Sequence, residues 1–443
     1  MPVQTVSGSV SMQNTGRMIT VKKVETSRER RAFLNFPLDL YSGNKCFVPP
    51  LYMDERKIFR SDFVYRDCCD FECFIAYKDG KVAGRIQAII QKAANEKNGE
   101  KRARFTRFDV IDDFEVSRAL FGAAEQWASE RGMDTVCGPL SFSDLEREGL
   151  LVEGFDQQAT FEENYNAPYY KDHIERLGYE KEVDWLGFRL YGAESPEALE
   201  ELEQLSKFIF RRYKLHFGPS KSGSDFLKRY ADGFFDLIDK SYEGLYGTVP
   251  FTPGMRKLVL DNFGLVLSPK YAAVILDENE KPVCFGLAIP SLNRALQGTR
   301  GHLTPLTLIR IIRCLRKPDV LDLCLVGVDP EYLNRGVSGA LSLAIMRMLS
   351  ENDSLKWADT NLNWKTIMQS RTSGAASAAS LTNVTAVTLR AYDKDSGRLL
   401  RRRPQPRSPR KRSPGRPGGQ SRPVSDTHRR RDPPAEGTGR ESL

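Results

Sequence analysis

The stretch Val326-Gly327-Val328-Asp329-Pro330-Glu331-Tyr332-Leu333-Asn334-Arg335-Gly336-Val337-Ser338-Gly339-Ala340-Leu341 decides the fold. The apolar run before it, Leu321 to Val328, predicts a buried strand. After it, Leu341, Ile345, Met348 and Leu349 recur on one helical face. A strand, a tight glycine loop and a helix N-terminus together make a phosphate site. The first backbone N–H groups of the helix lack intrahelical partners, and the helix dipole favours an anion. The glycines let the backbone approach a ligand closely.

The loop resembles the acyl-CoA loop of the GNAT acyltransferases, Arg/Gln-x-x-Gly-x-Gly/Ala after a strand ending Val-x-Pro-x-Tyr. Val328, Pro330, Tyr332, Arg335 and Ala340 stand where that pattern expects them. Ser338 replaces the first glycine, with Gly336 and Gly339 close by. The resemblance implies that Arg335, Gly336, Val337, Ser338, Gly339 and Ala340 hold the pyrophosphate. It implies that Val326 and Val328 lie on the strand whose exposed backbone pairs with the pantetheine. Acyl-CoA or acetyl-CoA would then be the co-substrate, with no metal.

The chain has 443 residues, 40% of them apolar and 28% charged, as in an ordinary globular protein of two or three domains. The longest apolar run is too short to span a membrane, and a secretory signal is not evident. Eight cysteines and four histidines are scattered without metal-ligand spacing, which reads as a reduced, cytoplasmic setting. The formal charge of +8 belongs to the C-terminus. Residues 395–443 hold 14 Lys and Arg against 5 Asp and Glu, a net of +9, leaving −1 for the rest. Nucleic acid is therefore not an expected partner of the folded body.

Residues 1–17 are polar and patternless and read as a leader, with Met18 opening the folded part. Residues 18–190 read as one α/β unit. A helix is predicted over Ser27 to Leu40, a hairpin over Phe74 to Tyr77 and Val82 to Ile90, and a strand over Ala103 to Ile111. An amphipathic helix over Asp113 to Gly132 and a strand from Val136 follow. Residues 195–363 repeat the theme. A hairpin, Ala272 to Leu276 with Val283 to Ile289, precedes the strand Leu321 to Val328, the helix Gly336 to Ser350 and the strand Trp357 to Asn361. This is a duplicated α/β unit. Thr304-Pro305 starts a further helix carrying Arg310, Arg313, Arg316 and Lys317 beside Leu306, Ile309, Ile312 and Leu315. The ordinary reading puts its apolar side on the core and its basic side in water. The other reading is a peripheral contact with anionic lipid.

Longer phrases narrow the resemblance. Lys45 to Leu51 (KCFVPPL), Gly138 to Ser143 (GPLSFS), Glu148 to Asp156 (EGLLVEGFD) and Tyr165 to Tyr170 (YNAPYY) are similar to the bacterial two-GNAT proteins of the YghO and ceramide synthase type. The implied fold is α/β, two GNAT-like domains in tandem. The second is C-terminally incomplete and is followed by a disordered basic tail. The first half lacks a CoA-type glycine loop between Phe108 and Glu115 and reads as a non-catalytic copy. After Asn363 such proteins continue in a phrase that this chain matches only one base out of frame. A shift forces Glu from the single codon of Trp364 and Ala from that of Met368. Residues 364–443 thus read as out of frame, or as a genuine disordered tail of Ser, Ala, Pro and Arg.

The implied reaction moves an acyl group from acyl-CoA to an amine, a small molecule or a lipid-like base. Candidates for proton transfer are Asp359 and Asn361 on the second strand and Tyr332 beside the loop, each also readable as structural. Glu148, Tyr165, Asn166 and Tyr169 form a polar, aromatic, Gly-punctuated region that would shape the acceptor pocket, or serve only as a loop. Two other functions stand against transfer. One is a GNAT-fold binding protein without turnover. The other is nucleic-acid binding through Arg401-Arg402-Arg403 and Arg410-Lys411-Arg412.

Overall fold

In the computed structural model, residues 9–14, 17–360 and 379–391 are described here, with the side chains of 9–17, 265 and 379–383 left aside. The first half runs β1 (Ser9–Asn14), β2 (Arg17–Lys23), α1 (Ser27–Leu40), α2 (Tyr52–Lys57), β3 (Cys69–Lys78) and β4 (Lys81–Gln91). It continues α3 (Lys92–Asn98), β5 (Arg102–Val110), α4 (Phe114–Glu130), β6 (Thr135–Gly138), β7 (Leu150–Glu153), α5 (Tyr169–Arg176) and β8 (Glu180–Leu190). The second half runs α6 (Pro196–Tyr213), β9 (His216–Phe217), α7 (Gly223–Ser241), α8 (Pro253–Val266), β10 (Ala272–Leu276) and β11 (Pro282–Pro290). It continues α9 (Asn293–Gln297), α10 (Pro305–Arg316), β12 (Val320–Val328), α11 (Val337–Ser350), β13 (Trp357–Thr360) and β14 (Ala379–Ala391).

Local chemistry explains the boundaries. Thr26 caps α1 through a capping box with Glu29. Asp113 caps α4, and Thr304 caps α10 with Pro305 in the first turn. The two hairpins form as expected, β3 with β4 and β10 with β11. Each is followed by a strand paired in parallel with the strand after the next helix, β5 with β6 and β12 with β13.

One sheet joins the halves, in the order β1-β2-β3-β4-β5-β6-β14-β8-β13-β12-β11-β10-β9, with β7 on β14. Its centre comes from the ends of the halves. Strand β8 closes the first half yet pairs with β13 of the second, Ala358 opposite Leu190. Strand β14 returns from the C-terminus to lie between β6 and β8. Separate apolar cores lie on the two wings, one around Phe105, Leu120 and Phe121, another around Leu321, Val337 and Leu341.

Two expectations change. The leader read as patternless holds an edge strand, with Ser9 to Asn14 paired to Lys22 through Arg17. The stretch read as a tail from 364 holds β14, whose Val384, Ala386, Val387 and Leu389 are buried. The run LTNVTAVTL at 381–389 is rich in β-branched residues and suits a pleated surface. A tail therefore begins no earlier than residue 392. Residues 361–378 and 392–443, including Arg401–Arg403 and Arg410–Arg412, lie outside the described residues.

Candidate functional site

The site grows from the parallel strand pairs of the two halves, the first of which parts within the described residues. Strands β5 and β6 pair only from Arg102 with Thr135 to Arg104 with Cys137. Pro139 then offers no N–H, and the chain turns away with Leu140 N–H donating to the Phe105 carbonyl at 2.8 Å. Thr106 to Val110 run on past the end of β6. In the second half β12 and β13 pair from Val320 with Trp357 to Leu323 with Thr360. Cys324 to Val328 continue beyond Thr360, the last described residue of β13.

Each running-on strand carries a register shift against its antiparallel neighbour. In β5 it falls between the pairs Arg85–Asp109 and Gln87–Thr106. In β12 it falls between Leu287–Leu325 and Ala288–Leu323. Such bulges re-aim side chains. At the first, Arg107 adopts a left-handed φ of 46°. Arg107 and Cys324 thereby line one cavity of about 310 Å³ between the halves.

The cavity has apolar walls, among them Phe47, Leu51, Phe161 and Phe263, and a charged floor. Arg107 donates to both oxygens of Glu55 at 2.9 Å and to Gln87 Oε1 at 2.8 Å, with Glu146 at 3.8 Å. Burial would raise the Glu55 carboxyl, but the Arg107 charge and double hydrogen bond bring it down to about 2. Burial wins at Glu146, raising it despite Arg107. Arg85 and Asp109 form a second ion pair at 2.7 Å. Arg147 donates to the carbonyls of Phe161 at 2.9 Å and Val48 at 3.0 Å, and burial lowers it to about 10.

Asp144, also on the wall, accepts the Val249 N–H at 3.2 Å, and burial lifts it to about 6. A carboxyl raised in the folded state costs stability once ionised. That cost appears as pH rises from the ordinary carboxylate value, 3.8, through 6. Asp144→Asn keeps an acceptor and removes the charge. It should raise the melting temperature well above pH 6, by roughly 1–3 kcal/mol in stability, and change little below 3.8. A variant no more stable than the parent at high pH would show that Asp144 ionises without cost.

No family model matches the chain. It is 26% identical over 339 residues to protein YghO of Escherichia coli K12, covering 75% of this chain and 84% of that protein. It is 24% identical over 335 residues to bacterial ceramide synthase of Caulobacter vibrioides, covering 72% and 83%. Its fold is α/β, with both halves sharing one mixed sheet. It is similar to the YghO-type proteins. Among solved structures, a tandem GNAT protein from the clavulanic acid biosynthesis pathway aligns at 11% identity with a TM-score of 0.47. That alignment covers 84% of this chain and 98% of the other.

The residues singled out from sequence fall into three groups. Val326 and Tyr165 reach the cavity. The Tyr165 hydroxyl accepts from Asn44 Nδ2 at 2.9 Å. Asn166 also borders the cavity, but its amide clamps the backbone of Leu151 at 2.8 and 3.0 Å.

The second group is spent on structure. Tyr169 donates to the Val110 carbonyl at 2.6 Å, and Glu148 is buried and accepts from the Ser141 N–H at 3.3 Å. Asp359 accepts from Arg189 at 2.9 Å and from the Trp357 indole at 3.0 Å, so it is no free base. Val328 is buried and pairs with Cys284.

The third group forms the helix entry, away from the cavity wall. Gly336 is the N-cap of α11 with φ 78°, and a Cβ there would lie 2.9 Å from Ile209 Cδ1. Val337, Gly339 and Ala340 are buried, and Ser338 O accepts from Ser342 Oγ at 3.1 Å. Arg335 is exposed and lies over the rings of Tyr332 and Tyr213 at 4.8 and 5.3 Å. Tyr332 thus supports the loop. Asn361 lies outside the described residues.

Sequence reading missed Tyr242 and the Glu55–Arg107–Glu146 group. Tyr242 closes α7 and lines the cavity. Its hydroxyl donates at 3.0 Å to the carbonyl of Val326 on the running-on strand. Neither feature has a local motif, because their partners lie 52 and 84 positions away in the chain.

Proposed function

We propose that this protein is an acyltransferase that moves an acyl group from acyl-CoA, or acetyl-CoA, to an amine. The observation that carries the reading is β12. It runs along a cavity and leads through a short turn to the Gly336-capped N-terminus of α11. In this reading the pyrophosphate rests on Arg335 to Ala340 at the helix entry, where backbone N–H groups and the dipole favour an anion. The thioester lies against Cys324 to Val326, with Tyr242 already hydrogen-bonded to that edge. The amine nitrogen attacks the thioester carbonyl, the C–S bond breaks, and the thiolate takes a proton as the amine loses one. Holding the two reactants together supplies most of the rate. Glu146, which lines the cavity and is raised by burial while accepting from Ser141 Oγ, serves in this reading as the proton acceptor. The apolar walls above a floor of paired charges suit an amine attached to an apolar, lipid-like body. The name of the ceramide synthase relative supports the same class of acceptor.

Turnover with acyl-CoA and a panel of short and long-chain amines separates this reading from a binding protein that does not turn over. Calorimetry tests the CoA site. Gly336→Glu is confounded by its clash with Ile209, whereas a Cβ at Gly339 meets no atom within 4 Å. Gly339→Asp should therefore weaken acyl-CoA binding at least about tenfold through charge repulsion, with little change in melting temperature. Unchanged affinity would remove the pyrophosphate from this loop.

A further inference from the structure

Helix α10 is attached to the body along one side only. Ile311, Cys314 and Leu315 pack on Val48, Leu292 and Leu296, and Thr307 is buried. The other side faces outward with Leu306 at 53% exposure and Ile309 at 63%, together with Leu308 and Ile312. Leu303, just before the Thr304 cap, is exposed as well. Of the eleven large apolar side chains exposed among the described residues, these are five. The helix is therefore apolar on both faces, against the ordinary expectation of a solvated outer side. A monomer rarely presents so concentrated an apolar patch to water.

Arg313 and Arg316 stand exposed on the same face, while Arg310 is half-buried with its guanidinium against Gly298. Arg310, Arg313, Arg316 and Lys317 lie on or directly after the helix, and Pro305 to Lys317 contains no acidic residue. Among the described residues none of the four takes part in an ion pair within 4.0 Å. Exposed leucine and isoleucine toward the N-terminal turns, with cations gathered at the C-terminal turn, form the pattern of a helix lying in a bilayer interface. The apolar side chains enter the acyl boundary and the cations meet the headgroup phosphates.

We propose that α10 docks this protein on the surface of an anionic lipid bilayer. Charge decides among the occupants of the face. A second copy packing α10 on α10 would set Arg313 and Arg316 against their own kind. The segment 395–443, with a net of +9, is repelled by the same cations. Anionic phospholipid complements both features at once. The inner side of the helix shares one apolar cluster with Leu51 and Phe161, which also line the cavity. Docking through the outer side therefore leaves α10 between the lipid and that cluster.

The test is vesicle co-sedimentation of the full chain, with phosphatidylcholine alone and with phosphatidylcholine mixed with phosphatidylglycerol. Binding is expected to the mixed vesicles, weakening with added salt. Leu306→Asp with Ile309→Asp should lower the partition at least about tenfold. Arg313→Glu with Arg316→Glu, which touches only exposed side chains, should do the same and guards against a folding defect in the first pair. If both variants sediment like the parent, the basic C-terminal segment carries the binding and the proposal falls. It also falls if the parent ignores mixed vesicles, whether it stays monomeric or light scattering shows a dimer that the aspartates dissolve.

Discussion

Ending the chain after Ala378 should cost far more than ending it after Ala391. The longer chain, ending at Ala391, keeps β14 between β6 and β8, so its melting temperature is expected to match that of the full chain. The shorter one removes the strand from the middle of the sheet. It uncovers Trp185 and Cys137, which pack with Val387 and Leu389. It also leaves the facing backbone groups of β6 and β8 unpaired. The buried Val384, Val387 and Leu389 each contribute roughly 1.5–3 kcal/mol. Their sum rivals a whole domain's stability of about 5–15 kcal/mol. The chain ending at Ala378 should therefore be insoluble or melt without cooperativity. Equal melting of the two truncations, followed by calorimetry or circular dichroism, would show that β14 adds nothing to the sheet.

Arg107→Met should be the most damaging single substitution in the cavity. It removes the cation that holds Glu55 through two hydrogen bonds and leaves Glu146 facing it. Taking one partner from a buried ion pair costs about 3–5 kcal/mol. Urea unfolding at neutral pH reads this directly. The pH dependence has a fixed sign. A carboxyl held at about 2 in the folded state contributes stability above its unfolded value of 4.5 and loses it as pH falls toward 2. The gap between parent and variant should thus narrow over that window. Adding Glu55→Gln to the variant should recover part of the loss. A neutral-pH loss below about 1 kcal/mol would mean that water already shares the pair's charge.

Much of the architecture was readable because it is local. The Val326 to Leu341 stretch announced its strand, turn and helix through apolar spacing and glycine, and the structure has β12, Gly336 and α11 there. The hairpins and the caps at Asp113 and Thr304 were likewise written in neighbouring residues. The site was less readable. Asp359 looked available until Arg189, 170 positions away, was placed beside it. Tyr169 and Asn166 looked like pocket groups, yet their polar atoms bind the backbone at Val110 and Leu151.

By itself, then, the sequence determined two α/β halves, the strand-loop-helix of the second, and the lean of charge toward the C-terminus. Those features depend on period, propensity and composition, which act over a few residues. The tertiary structure alone decided that β8 and β14 join the halves in one sheet, and that two bulges face one cavity. It alone set Arg107 between Glu55 and Glu146 and turned Leu306 and Ile309 of α10 outward. Each depends on which distant segments pack together, and burial, ion pairing and exposure are properties of that packing rather than of the residues themselves.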